Sequence, residues 1–383
     1  MRFRLPLFFL LIAALGSAAL WWWVYRDRTD PPRFEAADFA GLSTQEAAQR
    51  IADATVAGGA PGVLIHVRTR DETVTVVAGI SDRKSGAPMP KEAPLRIGSI
   101  SKIYTAAAVH HLIDQGRFDL ETRIADLLPR HLIEGVPNAD RATVRQLLQH
   151  TSGIPNYYDV RSYFTRDWTQ PISLQAMLPT VRRMKATHPP GERYAYSNTG
   201  YLYLGAVVEE ASGQPLDEVL GEVIRTPLKL EATYYNRFDP ADEAVYGYGT
   251  YLRPWKNTYA YWEHSGPDGG IAASAQEVAV FLEGLLGEEA ALRHLGDRMT
   301  AELIERAPRR RQGLGIETIV TRSGEELYGH TGDVFGYQTI AHYYPERGAA
   351  VVAHVNCNCA SLTSSLIGNL YRAVEATDGV FAP

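Results

Sequence analysis

The chain has 383 residues, of which 45% are hydrophobic and 21% charged, a balance typical of a globular protein rather than a disordered one. Its formal net charge of −6 leaves no basic surplus to neutralise phosphates, which argues against a nucleic-acid partner. The two cysteines, Cys357 and Cys359, are too few for a metal site or a disulfide framework. On a strand their side chains would point to opposite faces, so we expect two small buried thiols without a bridge.

An uncharged, strongly apolar segment occupies residues 5–25, directly after Arg2 and Arg4. It is long enough to span a bilayer, and the three tryptophans at 21–23 would lie at the far headgroup layer. The arginines favour a cytoplasmic N-terminus, so the rest of the chain would lie outside the cytoplasm. The alternative is a signal peptide cleaved near the small residues 17–19. Because of the tryptophans we favour residues 1–25 as an uncleaved anchor, and both readings imply an exported chain.

Residues 26–42 are polar and contain two adjacent prolines, which predicts a linker. We place one folded domain at residues 43–375 and a short tail at 376–383.

Predicted strands cluster at both ends of this domain, and predicted helices fill its middle. The strands occupy residues 62–70, 72–79, 314–320, 326–331, 336–344 and 349–356. Helices begin at capping boxes at Ser43 and Ser274 and near Ser99, and a last one covers about 361–375. Residues 115–260 form a mostly helical insertion. This order predicts an α+β fold, with an antiparallel sheet from both chain ends flanked by helices.

The motif S-x-x-K occurs twice, as Ser81–Lys84 and as Ser99–Lys102. On a helix, positions i and i+3 share a face, so the lysine amine can take the proton of the serine hydroxyl. Ser81 lies in a polar turn without helical periodicity, whereas apolar residues follow Ser99 at helical spacing. Ser101 is adjacent to Lys102 and cannot face it. Taken alone, the motif is more often an ordinary helix N-cap than a nucleophile.

Two further short motifs are also duplicated. Y-x-N occurs at residues 196–198 and 234–236, and a histidine followed by Ser or Thr and Gly occurs at 264–266 and 330–332. The copy at 196–198 lies in a turn that leads into a helix, and the copy at 330–332 lies in a β-rich stretch. The copy at 264–266 runs into a proline, which disfavours a central strand.

In chain order, the sequence contains RIGSISK, LLQHTSGIP, PGERYAYSNTGYLYLG and GHTGDVFGY. In these motifs it resembles the serine β-lactamase and penicillin-binding protein superfamily, within its branch of class C β-lactamases, DD-peptidases and esterases. The likeness covers about residues 45–375. It implies a β-lactamase/transpeptidase-like fold, while the branch shares one kind of site among several substrates.

The resemblance implies that Ser99 is the acylated nucleophile and that Lys102 is its partner, cationic or neutral. Tyr196 would protonate the leaving group or assist the base. Asn198 would hydrogen-bond the substrate amide and Lys102. The backbone N–H groups of Ser99 and Asp333 would form the oxyanion hole.

His330, Thr331 and Gly332 would bind substrate alongside Asp333, with Gly332 leaving room for the substrate backbone. A histidine stands here where many lactamases have lysine, and it carries less positive charge at neutral pH. We expect it to hold a substrate carboxylate less firmly, which favours peptide or ester cleavage over penicillin hydrolysis. Whether the Asp333 side chain faces the site is left open.

The leading hypothesis is a serine hydrolase that cleaves a D-amino-acid peptide, amide or ester through an acyl-enzyme. The alternatives are a β-lactamase and a non-catalytic penicillin-binding or sensing protein. We expect no cofactor and no metal, because the sequence contains no H-E-x-x-H or clustered Cys/His motif. The expected partners are a small or peptide substrate, possibly derived from the cell wall, and the membrane through the N-terminal helix. The catalytic domain would be periplasmic, held at the inner membrane or released by cleavage.

Overall fold

The structure, a computed structural model, describes residues 33–158, 166–236, 245–249, 256–257 and 265–376. The predicted apolar segment at 5–25 lies outside these residues, as does the tail beyond 376. Within the described ranges, no helix combines the length and the apolar character needed to cross a bilayer.

Thirteen strands are numbered in chain order through the described residues. They are β1 (Gly62–Arg68), β2 (Thr73–Gly79), β3 (Leu95–Arg96), β4 (Thr233–Tyr235), β5 (Tyr248–Gly249), β6 (Lys256–Asn257), β7 (Ile271–Ala273), β8 (Ile304–Ala307), β9 (Arg310–Gln312), β10 (Glu317–Val320), β11 (Glu326–Val334), β12 (Tyr337–Tyr344) and β13 (Ala349–Val355). Eight of them form one antiparallel sheet in the order β2-β1-β13-β12-β11-β10-β9-β8. Strands from both chain ends therefore meet in one sheet, which confirms the predicted fold class.

The helices of the described residues are numbered in the same way. They are α1 (Thr44–Ala57), α2 (Ser101–Asp114), α3 (Ile124–Leu127), α4 (Arg130–Ile133), α5 (Val144–Leu148), α6 (Leu174–Val181), α7 (Asn198–Ser212), α8 (Leu216–Leu220), α9 (Thr226–Leu228), α10 (Ala275–Leu286), α11 (Arg293–Thr300) and α12 (Ala360–Ala376). Short 3₁₀ turns cover Ala36–Phe39, Gly98–Ile100 and Pro345–Arg347, and a π-helical turn covers Gly221–Arg225.

The large sheet has a hydrophobic core on each face. Successive residues of β1 point alternately into these two cores. Leu64 packs with the central helices in one core, while Val63 and Ile65 pack with α1 and α12 in the other. The first core contains α2 and α7, and the second contains the terminal helices. Because both faces are covered, the central strands β12 and β13 are buried throughout.

The two predicted capping boxes differ in the structure. At Ser43 both halves form, because the hydroxyl accepts from the Glu46 N–H and the Glu46 carboxylate accepts from the Ser43 N–H. At Ser274 the hydroxyl caps α10, but the carboxylate of Glu277 accepts from the backbone N–H groups of residues 231 and 232 instead. The second prediction is therefore confirmed for the start of the helix and for the hydroxyl half of the capping box, and wrong for the carboxylate half.

Residues 33–42 belong to the folded body rather than to a linker. Phe39 is fully buried in the core beside α12, and the Phe34 N–H donates to Asn369 Oδ1 over 3.1 Å. Strands β8 and β9 were also not predicted.

Cys357 and Cys359 form a disulfide, so the prediction of two free thiols was wrong. The prediction assumed an extended strand, but β13 ends at Val355 and the chain then turns towards α12. The turn brings the two Cα atoms to 5.4 Å, within the range that a disulfide needs.

Candidate active site

Ser99 lies in the 3₁₀ turn that runs directly into α2. The helical spacing brings Lys102 Nζ to 3.1 Å from Ser99 Oγ. The lysine is fully buried, and its amine also donates to the Asp268 carbonyl oxygen over 2.7 Å. The amine is therefore held against the serine hydroxyl.

The alternative serines have other partners. Ser101 accepts the Ile271 N–H over 3.0 Å, which fastens β7 to α2. Ser81 donates to the Ala87 carbonyl oxygen over 3.4 Å. Lys84 is exposed in the same turn, where its N–H donates to Asp82. Of the two S-x-x-K copies, the one at Ser99 brings serine and lysine together.

Tyr196 completes a three-residue cluster, because its Oη lies 2.9 Å from Ser99 Oγ. Its ring packs on the ring of His150 at a centroid distance of 4.3 Å, and Lys102 Nζ lies 5.0 Å from the Tyr196 centroid. His150 Nδ1 accepts the Ser197 N–H, so that nitrogen carries no proton. Burial and the nearby Lys102 hold the pKa of His150 well below its usual range. His150 is therefore a neutral platform that positions Tyr196.

Burial shifts both ionisable partners of Ser99 towards their neutral forms. It lowers the pKa of Lys102 to about 8, although Asp268 and Glu317 oppose this shift. It raises the pKa of Tyr196 well above its usual range, so the phenol keeps its proton at physiological pH. Of the two, only the lysine has an accessible deprotonated form near neutral pH, which makes it the better base.

Asp268 is a site residue that sequence reasoning missed. It is fully buried, its carboxylate accepts from the Tyr157 hydroxyl over 2.7 Å, and its backbone oxygen accepts from Lys102. The Thr105 hydroxyl holds the neighbouring Pro267 carbonyl oxygen to α2. The sequence signal for this residue was a carboxylate followed by two glycines just before the buried strand β7. No pattern of neighbouring residues connects that carboxylate with Lys102, which is far away in the chain.

Strand β11 packs directly against the turn that carries Ser99. A Cβ at Gly332 would lie 1.8 Å from the Ile97 carbonyl oxygen, and one at Gly98 would lie 2.9 Å from the Asp333 nitrogen. Glycine at 332 is therefore required by contact between two backbone segments, and its part in substrate binding stays a prediction. The same contact brings the Asp333 N–H beside the Ser99 turn.

The Asp333 side chain points away from Ser99, which settles the question left open by the sequence. Its carboxylate is exposed and accepts from Gln338 Nε2 over 2.8 Å and from Asn358 Nδ2 over 2.7 Å. Asn358 also donates to the Val334 carbonyl oxygen over 2.8 Å and accepts the Gly336 N–H. This one amide, held between the disulfide-bonded cysteines, ties down the turn after β11.

Asn198 is buried at the first position of α7. Its N–H donates to Asn156 Oδ1 over 3.1 Å, and its own Oδ1 is buried without a hydrogen-bond partner among the described residues. The predicted hydrogen bond to Lys102 does not form, because the lysine amine is directed to Ser99 and the Asp268 carbonyl oxygen.

His330 is buried on β11, with Thr331 half-buried beside it. Its Nδ1 contacts the Thr331 carbonyl oxygen, and its Nε2 lies 3.3 Å from Glu317 Oε1. Burial lowers the pKa of His330 even though Glu317 raises it. The imidazole therefore faces a buried carboxylate, which the sequence did not predict.

The second copies of the other two motifs have structural contacts. Tyr234 lies in β4, and the Asn236 N–H donates to the Gly270 carbonyl oxygen over 2.8 Å. Ser265 accepts the Ile172 N–H over 2.6 Å, while His264 lies outside the described residues. Within the described ranges, no three His, Cys, Asp or Glu side chains are grouped as metal ligands.

The fold, together with a serine hydroxyl held between a lysine amine and a tyrosine hydroxyl, is that of a serine hydrolase. The family described as "Beta-lactamase" matches residues 47–361, and the chain belongs to that family.

Three similar proteins illustrate the range of the family. Penicillin-binding protein 4 of Amycolatopsis lactamdurans is 31% identical over 170 residues, which cover 44% of this chain and 43% of that protein. A D-aminopeptidase of Cereibacter sphaeroides is 27% identical over 330 residues, covering 82% of this chain and 60% of the relative. The crystal structure of a D-stereospecific amidohydrolase from Streptomyces sp. superimposes with a TM-score of 0.76 at 25% identity, covering 84% of this chain and 97% of that one. The chain thus spans less than two thirds of either curated relative.

Proposed function

We propose that this protein is a serine hydrolase that cleaves D-amino-acid amides or peptides through an acyl-enzyme on Ser99. The observation that carries the proposal is the convergence of Lys102 Nζ and Tyr196 Oη on Ser99 Oγ, at 3.1 and 2.9 Å. A nucleophile within hydrogen-bond reach of a base is the arrangement that such chemistry needs.

In the first half-reaction, the neutral amine of Lys102 takes the Ser99 proton as Oγ attacks the substrate carbonyl carbon. The N–H groups of Ser99 and Asp333 stabilise the oxyanion. Tyr196 gives its proton to the leaving amine and regains one from Lys102 as the C–N bond breaks. In the second half-reaction, water attacks the ester carbonyl carbon while Lys102 takes one of its protons. Lys102 then returns that proton to Ser99 Oγ as the bond between Oγ and the acyl carbon breaks, which releases the carboxylic acid and restores the free enzyme.

The D-amino-acid preference rests on the names of two similar proteins, a D-aminopeptidase and a D-stereospecific amidohydrolase. The site supports an amide or amine end rather than a carboxylate end, because His330 faces Glu317 and its pKa is lowered. A penicillin-binding activity is the second candidate, and the 31% identical penicillin-binding protein supports it.

Turnover of paired D- and L-alaninamide, with parallel labelling by a fluorescent phosphonate and a fluorescent penicillin, separates these possibilities. We expect hydrolysis of the D-amide, little hydrolysis of the L-amide, and phosphonate labelling. Penicillin labelling without amide turnover would favour the penicillin-binding alternative. Absence of turnover and of both labels would contradict the proposal.

A further inference from the structure

Glu317, at the start of β10, is a carboxylate that lies between two basic side chains beside the site. Its side chain is 5% exposed, and Arg306 binds it with two hydrogen bonds, one of them of 2.9 Å between Nη2 and Oε2. On its other side, Oε1 lies 3.3 Å from His330 Nε2. Burial raises the pKa of Glu317, but the nearby His330 and Arg306 lower it by more, so the net shift is downward and the carboxylate is ionised.

This cluster of Arg306, Glu317 and His330 borders the catalytic tyrosine. The His330 and Tyr196 rings are 6.2 Å apart. Arg306 Nη1 also donates to the Tyr194 hydroxyl over 3.1 Å, and its guanidinium lies 5.7 Å from the Tyr194 ring centroid. The Arg306 guanidinium and the Glu317 carboxylate together carry no net charge. The β10–β11 side of the site therefore offers a substrate carboxylate a cation that is already paired, with His330 beside it.

We propose that Glu317 determines substrate specificity: by pairing with Arg306 and His330, it makes the site select substrates with an uncharged amide end over those with a free carboxylate. This inference rests on the proposed function and names its substrate class more narrowly. Binding a carboxylate here requires breaking a bidentate, buried ion pair, which is a strong interaction. A carboxamide carries no charge and does not compete for Arg306.

Cleavage of the same D-alanyl–D-alanine peptide bond, followed separately from loss of the terminal amide, is compared in two substrates, D-alanyl-D-alanine and D-alanyl-D-alaninamide. For the wild-type protein we expect a higher kcat/KM with the amide. In Glu317→Gln the freed guanidinium can bind the carboxylate, so the ratio of acid to amide should rise about tenfold or more. A gain for one substrate relative to the other does not arise from general damage to the fold.

Further variants make the charge dependence specific. Glu317→Asp keeps the carboxylate and should keep a ratio near that of the wild type. Adding Arg306→Met to Glu317→Gln should remove the gain, because the freed cation is gone. Glu326→Gln is a matched control, since it removes a carboxylate of β11 that is paired with Arg311 of β9.

Arg306→Gln tests the same idea should Glu317→Gln fail to fold. It leaves the Glu317 carboxylate without its main partner, so the acid-to-amide ratio should fall rather than rise. An unchanged ratio in folded Glu317→Gln, or in Arg306→Gln, overturns this inference while the activity of the wild type stands. Absence of wild-type turnover with every D-amino-acid amide overturns the proposed function itself.

Discussion

At the scale of single residues, burial explains how Lys102 can serve as a base. An exposed lysine has a pKa near 10.4 and is almost fully protonated at neutral pH. Here burial lowers the pKa to about 8, so roughly a tenth of the amine is neutral at pH 7. Tyr196 shifts in the opposite direction, because a phenolate is also disfavoured by burial.

The acylation rate of the wild-type protein should therefore rise with pH and reach half its maximum near pH 8, as Lys102 loses its proton. Below that pH the protonated amine cannot accept the Ser99 proton. Stopped-flow acylation by a neutral ester from pH 6 to 10 measures this. A profile that is flat through pH 8 would mean that another group is the base.

Tyr196→Phe should lower the acylation rate by on the order of 10²-fold, the scale of a lost general acid–base group. Its melting temperature should change little, because the ring still packs on His150. Tyr194→Phe is the matched control, since that hydroxyl bonds to Arg306 rather than to Ser99. Equal rates for Tyr196→Phe and the wild type would remove the tyrosine from the mechanism.

At the scale of elements, the turn after β11 is fixed by a side chain far away in the sequence. Asn358 contacts Asp333, Val334 and Gly336, while the nearby Asn356 donates to the carbonyl oxygens of residues 80 and 246. The two asparagines therefore hold different segments, although only one residue separates them.

Asn358→Ala should destabilise the fold by about 1–3 kcal/mol, the cost of leaving buried polar groups unpaired. It should also lower kcat, because loosening this turn frees the end of β11, which carries the Asp333 N–H. Asn356→Ala should be destabilised by a similar amount with kcat nearly unchanged. Denaturant titration and steady-state kinetics measure both effects, and a parallel loss of kcat in the two variants would contradict the role of Asn358.

The elements also show what local sequence patterns can predict. The Ser43 capping box, the hairpin β1–β2 and the Ser99–Lys102 spacing depend on neighbours within a few residues, and each is present. Asp268 and Glu317 were missed because their partners are distant in the chain. The disulfide was missed because the bend that permits it lies beyond the end of β13.

At the scale of the whole molecule, we propose that residues 5–25 anchor an exported domain in the membrane. The folded body begins by residue 34, where the Phe34 N–H bonds to α12. The full chain should remain in the membrane pellet after alkaline carbonate extraction, whereas a chain that begins at residue 33 should be released and keep its activity. A mature N-terminus between residues 17 and 26 would show that the segment is cleaved.

The central claim is that Ser99 is the nucleophile, and covalent labelling tests it most directly. After incubation with a fluorophosphonate, mass spectrometry of the digested protein should find one adduct, on the peptide that contains residues 97–102. The adduct should be absent in Ser99→Ala and retained in Ser101→Ala. Labelling that persists in Ser99→Ala would contradict the account, and its loss in Ser101→Ala would then identify Ser101 as the nucleophile.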